Sequence, residues 1–91
     1  MKSKRLEAIV KGYVQGVGFR HFVRYHAVSL ALTGFVKNLP SGEVEVVAEG
    51  NEEALESFLS ILKRGSVYSN VEKVDYVIKE AKDEFPDFYI Y

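Results

Sequence analysis

Cysteine and tryptophan are absent from this chain, proline occurs twice and methionine once. Without thiols there is no disulfide framework, thiolate metal site, cysteine nucleophile or thiol redox switch. No apolar run approaches the ~20 residues that a membrane-spanning helix needs. Met1-Lys2-Ser3-Lys4-Arg5 leads into Leu6-Glu7-Ala8, which puts charge where a signal peptide is apolar. A cytoplasmic address with no membrane association is the expectation. Neither sign of charge dominates: 12 Lys and Arg stand against 13 Asp and Glu, for a net charge of −1. No whole-molecule field therefore gathers nucleic acid or an anionic surface, and any anion this chain holds is held by local geometry.

What is present suits one domain over residues 1–91, with 47% hydrophobic residues. A chain of this size buries roughly 60–65% of its unfolded surface. Arg5 to Val14 reads as a half-buried strand, with Leu6, Ala8 and Val10 alternating with Glu7, Ile9 and Lys11. Gly12, Gly16 and Gly18 then mark a tight loop. From Phe19 the apolar residues Val23, Ala27, Leu30 and Ala31 recur at helical spacing until Thr33-Gly34. Gly34 to Leu39 and Glu43 to Glu49 form a hairpin around Pro40-Ser41-Gly42.

A second helix starts at the capping residue Asn51, carries Glu52 and Glu53 at its positive end and Lys63 and Arg64 at its negative end, and stops at Gly65. Its buried stripe is Leu55, Phe58, Leu59 and Leu62. Val71 to Glu80 alternates through Val74, Tyr76 and Ile78, and a short strand lies within Phe85 to Tyr91. The order βαββαβ plus a C-terminal strand predicts an α+β, ferredoxin-like sandwich: one antiparallel sheet with two helices packed on one face.

Topology then brings distant residues together. A right-handed crossover makes the first two strands run the same way, so the glycine loop and the end of the second strand share one sheet edge. Arg20 and Asn38 converge there. The start of the first helix has no Ser, Thr, Asp or Asn from Gly12 to Arg20, so its free N–H groups are available to a ligand. Glycines allow consecutive amides to form an anion-binding nest, and Arg20 adds a fork matched to phosphate oxygens. On these residues alone an anion site and a solvated loop arginine stand side by side. A nucleotide P-loop is disfavoured, because no Lys followed by Ser or Thr succeeds the glycines.

Val10-Lys11-Gly12-Tyr13-Val14-Gln15-Gly16-Val17-Gly18-Phe19-Arg20 resembles the first signature of the acylphosphatase family. Gly34-Phe35-Val36-Lys37-Asn38-Leu39-Pro40-Ser41-Gly42-Glu43-Val44, with Gly50 following, resembles the second. The resemblance covers essentially the whole chain; Gly65 to Asn70, where many relatives carry proline, departs from it. It implies a free-standing enzyme that hydrolyses acyl phosphates to carboxylate and inorganic phosphate without metal or cofactor. The implied substrate-binding residues are Gln15, Gly16, Val17, Gly18, Phe19 and Arg20, and the implied catalytic residues are Arg20, for the phosphate, and Asn38, for the water.

The other polar residues have plainer readings. His26 in mid-helix and His21 beside Arg20 read as surface or packing residues, and two lone histidines make no metal site. Glu43, Glu45, Glu49, Glu52 and Glu53 read as a solvated face, and Tyr13, Phe19 and Phe22 as core rather than acyl-group contacts. The C-terminal aromatic stretch reads as an edge strand blunted by Pro86; a monomer is expected, with a dimer through that edge left open. The competing classes are a non-catalytic ferredoxin-like module for RNA and one for a small anionic ligand. The first wants a basic sheet face, against which the third strand sets three glutamates. The second expects a partner enzyme in the same chain.

Overall fold

Alternation from Leu6 to Lys11 in the first strand decides which face of the sheet is covered. The computed structural model describes residues 3–91; Met1 and Lys2, the start of the charged N-terminal stretch and of the expected 1–91 domain, lie outside the described residues. In β1 (Ser3–Tyr13), Leu6, Ala8 and Val10 are buried, while Glu7, Ile9 and Lys11 are half-buried on the opposite face. The chain continues through α1 (Phe19–Ser29), β2 (Thr33–Asn38), β3 (Val44–Asn51), α2 (Glu52–Arg64), β4 (Asn70–Glu80) and β5 (Phe88–Ile90). The sheet order is β4-β1-β3-β2-β5.

Ala8 and Val36 both oppose Val46, so β1, β3 and β2 present one continuous apolar face. Val23 and Ala27 of α1 and Leu55, Phe58 and Leu62 of α2 complete the core on that face. Leu59 is only half-buried, at the margin of the α2 stripe. α1 covers β2 and β5, and α2 covers β1, β3 and β4. Asn51 caps α2 as expected, its Oδ1 accepting from the Ala54 N–H at 3.1 Å, and Gly65 ends the helix at φ 76°.

Several expectations are corrected. The sheet is mixed, because β5 runs parallel to β2. β4 ends at the sheet edge where β2 begins, so a chain crossing that edge adds its next strand in the direction of β2. The first helix stops at Ser29, short of Leu30 and Ala31. Leu32 N–H donates to Ala27 O at 2.9 Å and Ala31 N–H to Val28 O at 3.0 Å, a Schellman closure with Ala31 in the left-handed position at φ 58°. Along β4, an edge strand, Tyr76 and Ile78 face the helix layer yet stay 45% and 39% exposed, with Lys63 of α2 reaching over the Tyr76 ring at 5.4 Å.

Glu49 is not solvated. Arg5 and Glu49, 7% and 4% exposed, oppose each other across β1 and β3. Arg5 Nη1 donates to Glu49 at 3.0 Å and to Glu84 at 2.9 Å, and its Nε to Glu7 at 2.7 Å. The Glu49 carboxylate also accepts the N–H groups of Lys82, at 2.8 Å, and Asp83, at 2.9 Å. Phe85 covers the guanidinium, 5.5 Å from its ring centre. The cluster pins residues 81–87 across the sheet edge and so delivers β5 to β2. Burial pushes the Glu49 carboxyl up, but the Lys82 N–H, the Arg5 guanidinium and the Asp83 N–H outweigh it and hold the group below its ordinary value.

Two outcomes are expected. Ala31→Gly removes the left-handed penalty on a β-carbon and stabilises the fold by about 0.5–1 kcal/mol, read as a rise in thermal midpoint. Glu49→Gln costs about 3 kcal/mol near neutrality, because it leaves Arg5 buried with one partner fewer. A depressed carboxyl stabilises above its unfolded value and loses that contribution as pH falls through its folded value. Urea unfolding of wild type and Glu49→Gln at neutral and strongly acid pH therefore shows a gap that narrows in acid.

Candidate active site

One residue of β3 measures how the two signatures meet. Val44 is opposed by Val10 of β1 on one side and by Asn38 of β2 on the other. Both strands are antiparallel to β3 and thus parallel to each other, so their C-terminal ends lie level. The loop leaving β1 sits beside the turn leaving β2, and the Gln15 side chain joins them. Its Nε2 donates to Leu39 O at 2.8 Å and to Glu43 O at 2.9 Å.

The loop is anchored at both ends by buried side chains, Val14 and Phe19. Gly16 and Gly18 each have φ of 75°. A β-carbon at either would meet nothing within 4 Å, so handedness, rather than room, is what glycine supplies here. Gly18 caps α1 without a side-chain bond, and no acidic residue lies in the first turn. The first helical bond runs from Phe22 N–H to Gly18 O at 3.1 Å. Among the described residues, no acceptor takes the N–H groups from Gly16 to His21. Those donors, together with the positive end of α1, concentrate positive potential at this loop in a chain with no field of its own.

Arg20 lies in the first turn of α1, and its Nη1 donates to the main-chain oxygen of Tyr91 at 2.8 Å. One turn on, Arg24 Nε donates to Phe88 O at 3.0 Å. β5 is fastened in turn to β2, by Tyr91 N–H to Val36 O and Gly34 N–H to Asp87 O, both at 2.9 Å. The guanidinium is thus steered from α1 toward the strand beside the one that bears Asn38. Asn38 is half-buried, and its Oδ1 is fully buried with no protein hydrogen-bond partner. A buried acceptor without a protein donor is costly.

The residues singled out from sequence distribute as follows. Gln15, Gly16, Val17, Gly18, Phe19, Arg20 and Asn38 gather at this one edge. His21 is exposed in the first turn of α1, and His26 packs against the rings of Phe22 and Tyr25 at 4.7 and 5.2 Å. Phe19 is core, Phe22 is half-buried, and Tyr13 is exposed rather than core. Three contacts of the site were not anticipated: the Gln15 side-chain bridge and the grips of Arg20 and Arg24 on β5. The spacing of four between the two arginines, which aligns them on one helix face, is the signal available for the last two. Among the described residues, no group of three or more His, Asp or Glu is arranged to hold a metal ion. A groove of about 340 Å³ on the open sheet face, lined by Glu7, Ile9, Glu45, Asp75 and Val77 among others, carries carboxylates that would repel an anion.

The architecture defines a ferredoxin-like α+β domain with a donor-rich glycine loop at the end of its parallel strand pair. The chain belongs to the acylphosphatase family, whose model matches residues 6–90. It is 56% identical to an acylphosphatase of Thermus thermophilus over 71 residues, 78% of this chain and 81% of the relative. With an acylphosphatase of Deinococcus radiodurans it shares 46% over 87 residues, 96% of this chain and 99% of the relative. The crystal structure of acylphosphatase from Bacillus subtilis superposes with a TM-score of 0.93 at 41% identity, covering 97% of this chain and 98% of the other. No helix is long and apolar enough to cross a membrane among the described residues.

Proposed function

We propose that this chain hydrolyses acyl phosphates to a carboxylate and inorganic phosphate, with the N–H groups of the glycine loop cradling the phosphoryl group and Asn38 holding the attacking water. Two unmet needs at one sheet edge carry this reading: the N–H groups from Gly16 to His21 lack acceptors, and the buried Asn38 Oδ1 lacks a donor. A phosphoryl group answers the first, and a rotation of the half-buried Asn38 side chain that uncovers its oxygen lets a water answer the second. The family relationship supports the same assignment.

The chemistry asks little of side chains. A carboxylate leaves readily, so no acid is needed to protonate it and no covalent relay is needed to split the step. The three equatorial oxygens of the transferring phosphoryl group accept from the loop amides and from the Arg20 fork, where charge stabilisation in the transition state is greatest. Asn38 Oδ1 accepts a hydrogen bond from the water and fixes its oxygen in line with the leaving oxygen. The water oxygen bonds to phosphorus as the bond to the acyl oxygen breaks, and that electron pair departs with the carboxylate. An amide is too weak a base to take the released proton, which passes to a phosphoryl oxygen of the substrate. The cradle grips the phosphate end alone, so acyl groups of different shape are accepted.

Phosphate release from a synthetic aromatic acyl phosphate in the presence of chelator tests the assignment, with a simple phosphate ester expected to be nearly inert. Asn38→Ala lowers kcat by at least ~10²-fold while inhibition by inorganic phosphate is nearly unchanged; equal losses in both reduce Asn38 to a turn residue. Arg20→Lys keeps the charge but loses the fork, and kcat/KM falls by about 10³-fold with little change in thermal midpoint. Near-normal turnover by that variant would overturn the assignment.

A further inference from the structure

β5 is the shortest strand of the sheet, three residues at its margin, and two arginines of α1 take hold of its two ends. Its ladder to β2 uses Asp87 O, which accepts from Gly34 N–H, and Tyr91 N–H, which donates to Val36 O. Phe88 O is taken from the helix layer instead, by Arg24 Nε at 3.0 Å. Past the far end of the strand, Arg20 Nη1 donates to Tyr91 O at 2.8 Å. The spacing of four places both arginines on one helix face, so α1 reaches β5 at two points.

We propose that Arg24 is a positioning residue for the hydrolysis described above: it fixes β5 against α1, and β5 in turn fixes the guanidinium of Arg20. The proposal rests on that reading of the site and extends it to a residue outside the set that meets the phosphoryl group and the water. The position of Tyr91 O matters because it takes Nη1 and leaves the Nε–Nη2 edge of Arg20 whole, as a two-pronged donor for phosphoryl oxygens. A shift of Tyr91 turns that edge away, and a misplacement of about 1 Å is enough to cost ~10²-fold in rate. Phe88 stays in the core and the ladder to β2 survives without Arg24, so losing its grip loosens β5 rather than releasing it. The expected loss is therefore smaller, about tenfold.

Through-space attraction between the Arg24 charge and the phosphate is the competing account, and substitution separates the two. Glutamine carries an amide N–H as many bonds from its backbone as arginine carries Nε. Arg24→Gln therefore keeps a donor for Phe88 O and drops the charge. Arg24→Met keeps an apolar stem of similar length and drops both. Arg24 is exposed, so neither substitution disturbs the core.

Steady-state turnover of a synthetic aromatic acyl phosphate, well below the thermal midpoint, reads the effect. Arg24→Met lowers kcat/KM by about tenfold, and Arg24→Gln keeps it within about threefold of wild type. In an Arg20→Lys background Arg24→Met causes no further loss, because its influence runs through the Arg20 fork. A readout independent of turnover is the order parameter of the Arg20 Nε–H from nitrogen NMR relaxation, which falls in Arg24→Met and recovers in Arg24→Gln. Equal losses in the Gln and Met variants overturn the proposal, since charge alone would then account for them. So do additive losses in the Arg20→Lys background, or an Arg20 side chain equally ordered in all three proteins. A wild-type protein that turns over no acyl phosphate refutes the functional reading instead, and the order parameter still decides whether Arg24 holds Arg20 in place.

Discussion

The shared register at Val44 is the constraint on which the molecule's chemistry depends. Val10 and Asn38 flank it in a hydrogen-bonded ladder, so the spacing between the glycine loop and the Asn38 amide is set by main-chain geometry rather than by side-chain rotamers. A slip of one residue in either strand would turn the apolar faces of β1 and β2 to solvent. Burial of Val10, Val36, Val44 and Val46 resists such a slip. The hydrophobic core therefore aligns the polar site, whose loop it anchors through Val14 and Phe19.

Charge is distributed by the same logic. With a net charge of −1, the molecule has nothing to attract an anion at long range, and the donor-rich start of α1 provides attraction only at contact. The opposite sheet edge holds the buried Arg5 and Glu49, with Glu7, Glu84 and the N–H groups of Lys82 and Asp83 around them. One end of the sheet leaves its hydrogen-bonding capacity open and the other saturates it. The saturated end turns the chain from β4 toward β2, and β5 then comes within reach of the two arginines of α1.

Features set by local chemistry were legible in the residues. Alternation in β1 and β3, the Asn51 cap, the Gly65 stop and the loop around Gly16 and Gly18 all follow from neighbours in sequence. The shared end of β1 and β2, which sets the glycine loop beside the turn after Asn38, was legible too, since a right-handed crossover leaves one arrangement for two parallel strands. What escaped depends on distant partners. Nothing near Glu49 distinguishes it from Glu43 or Glu45, because its burial comes from Arg5 and from main-chain groups of Lys82 and Asp83. Ala31 carries no mark of a left-handed residue, and the packing of Leu32 beneath the helix overrides its preference. The parallel course of β5 and the bridge made by the Gln15 side chain likewise follow from where other segments end.

The steering of Arg20 from β5 ties the site to a small and separable piece of structure. β5 is a three-residue strand at the margin of the sheet, held by Phe88 in the core and a few ladder bonds. Margins of this kind fray before the body of a domain melts. The guanidinium would then swing free while the core and the glycine loop remain intact. With Arg20 in its proposed role, warming would blunt turnover some degrees before any spectroscopic sign of unfolding, and the working temperature range would be narrower than the range over which the chain stays folded.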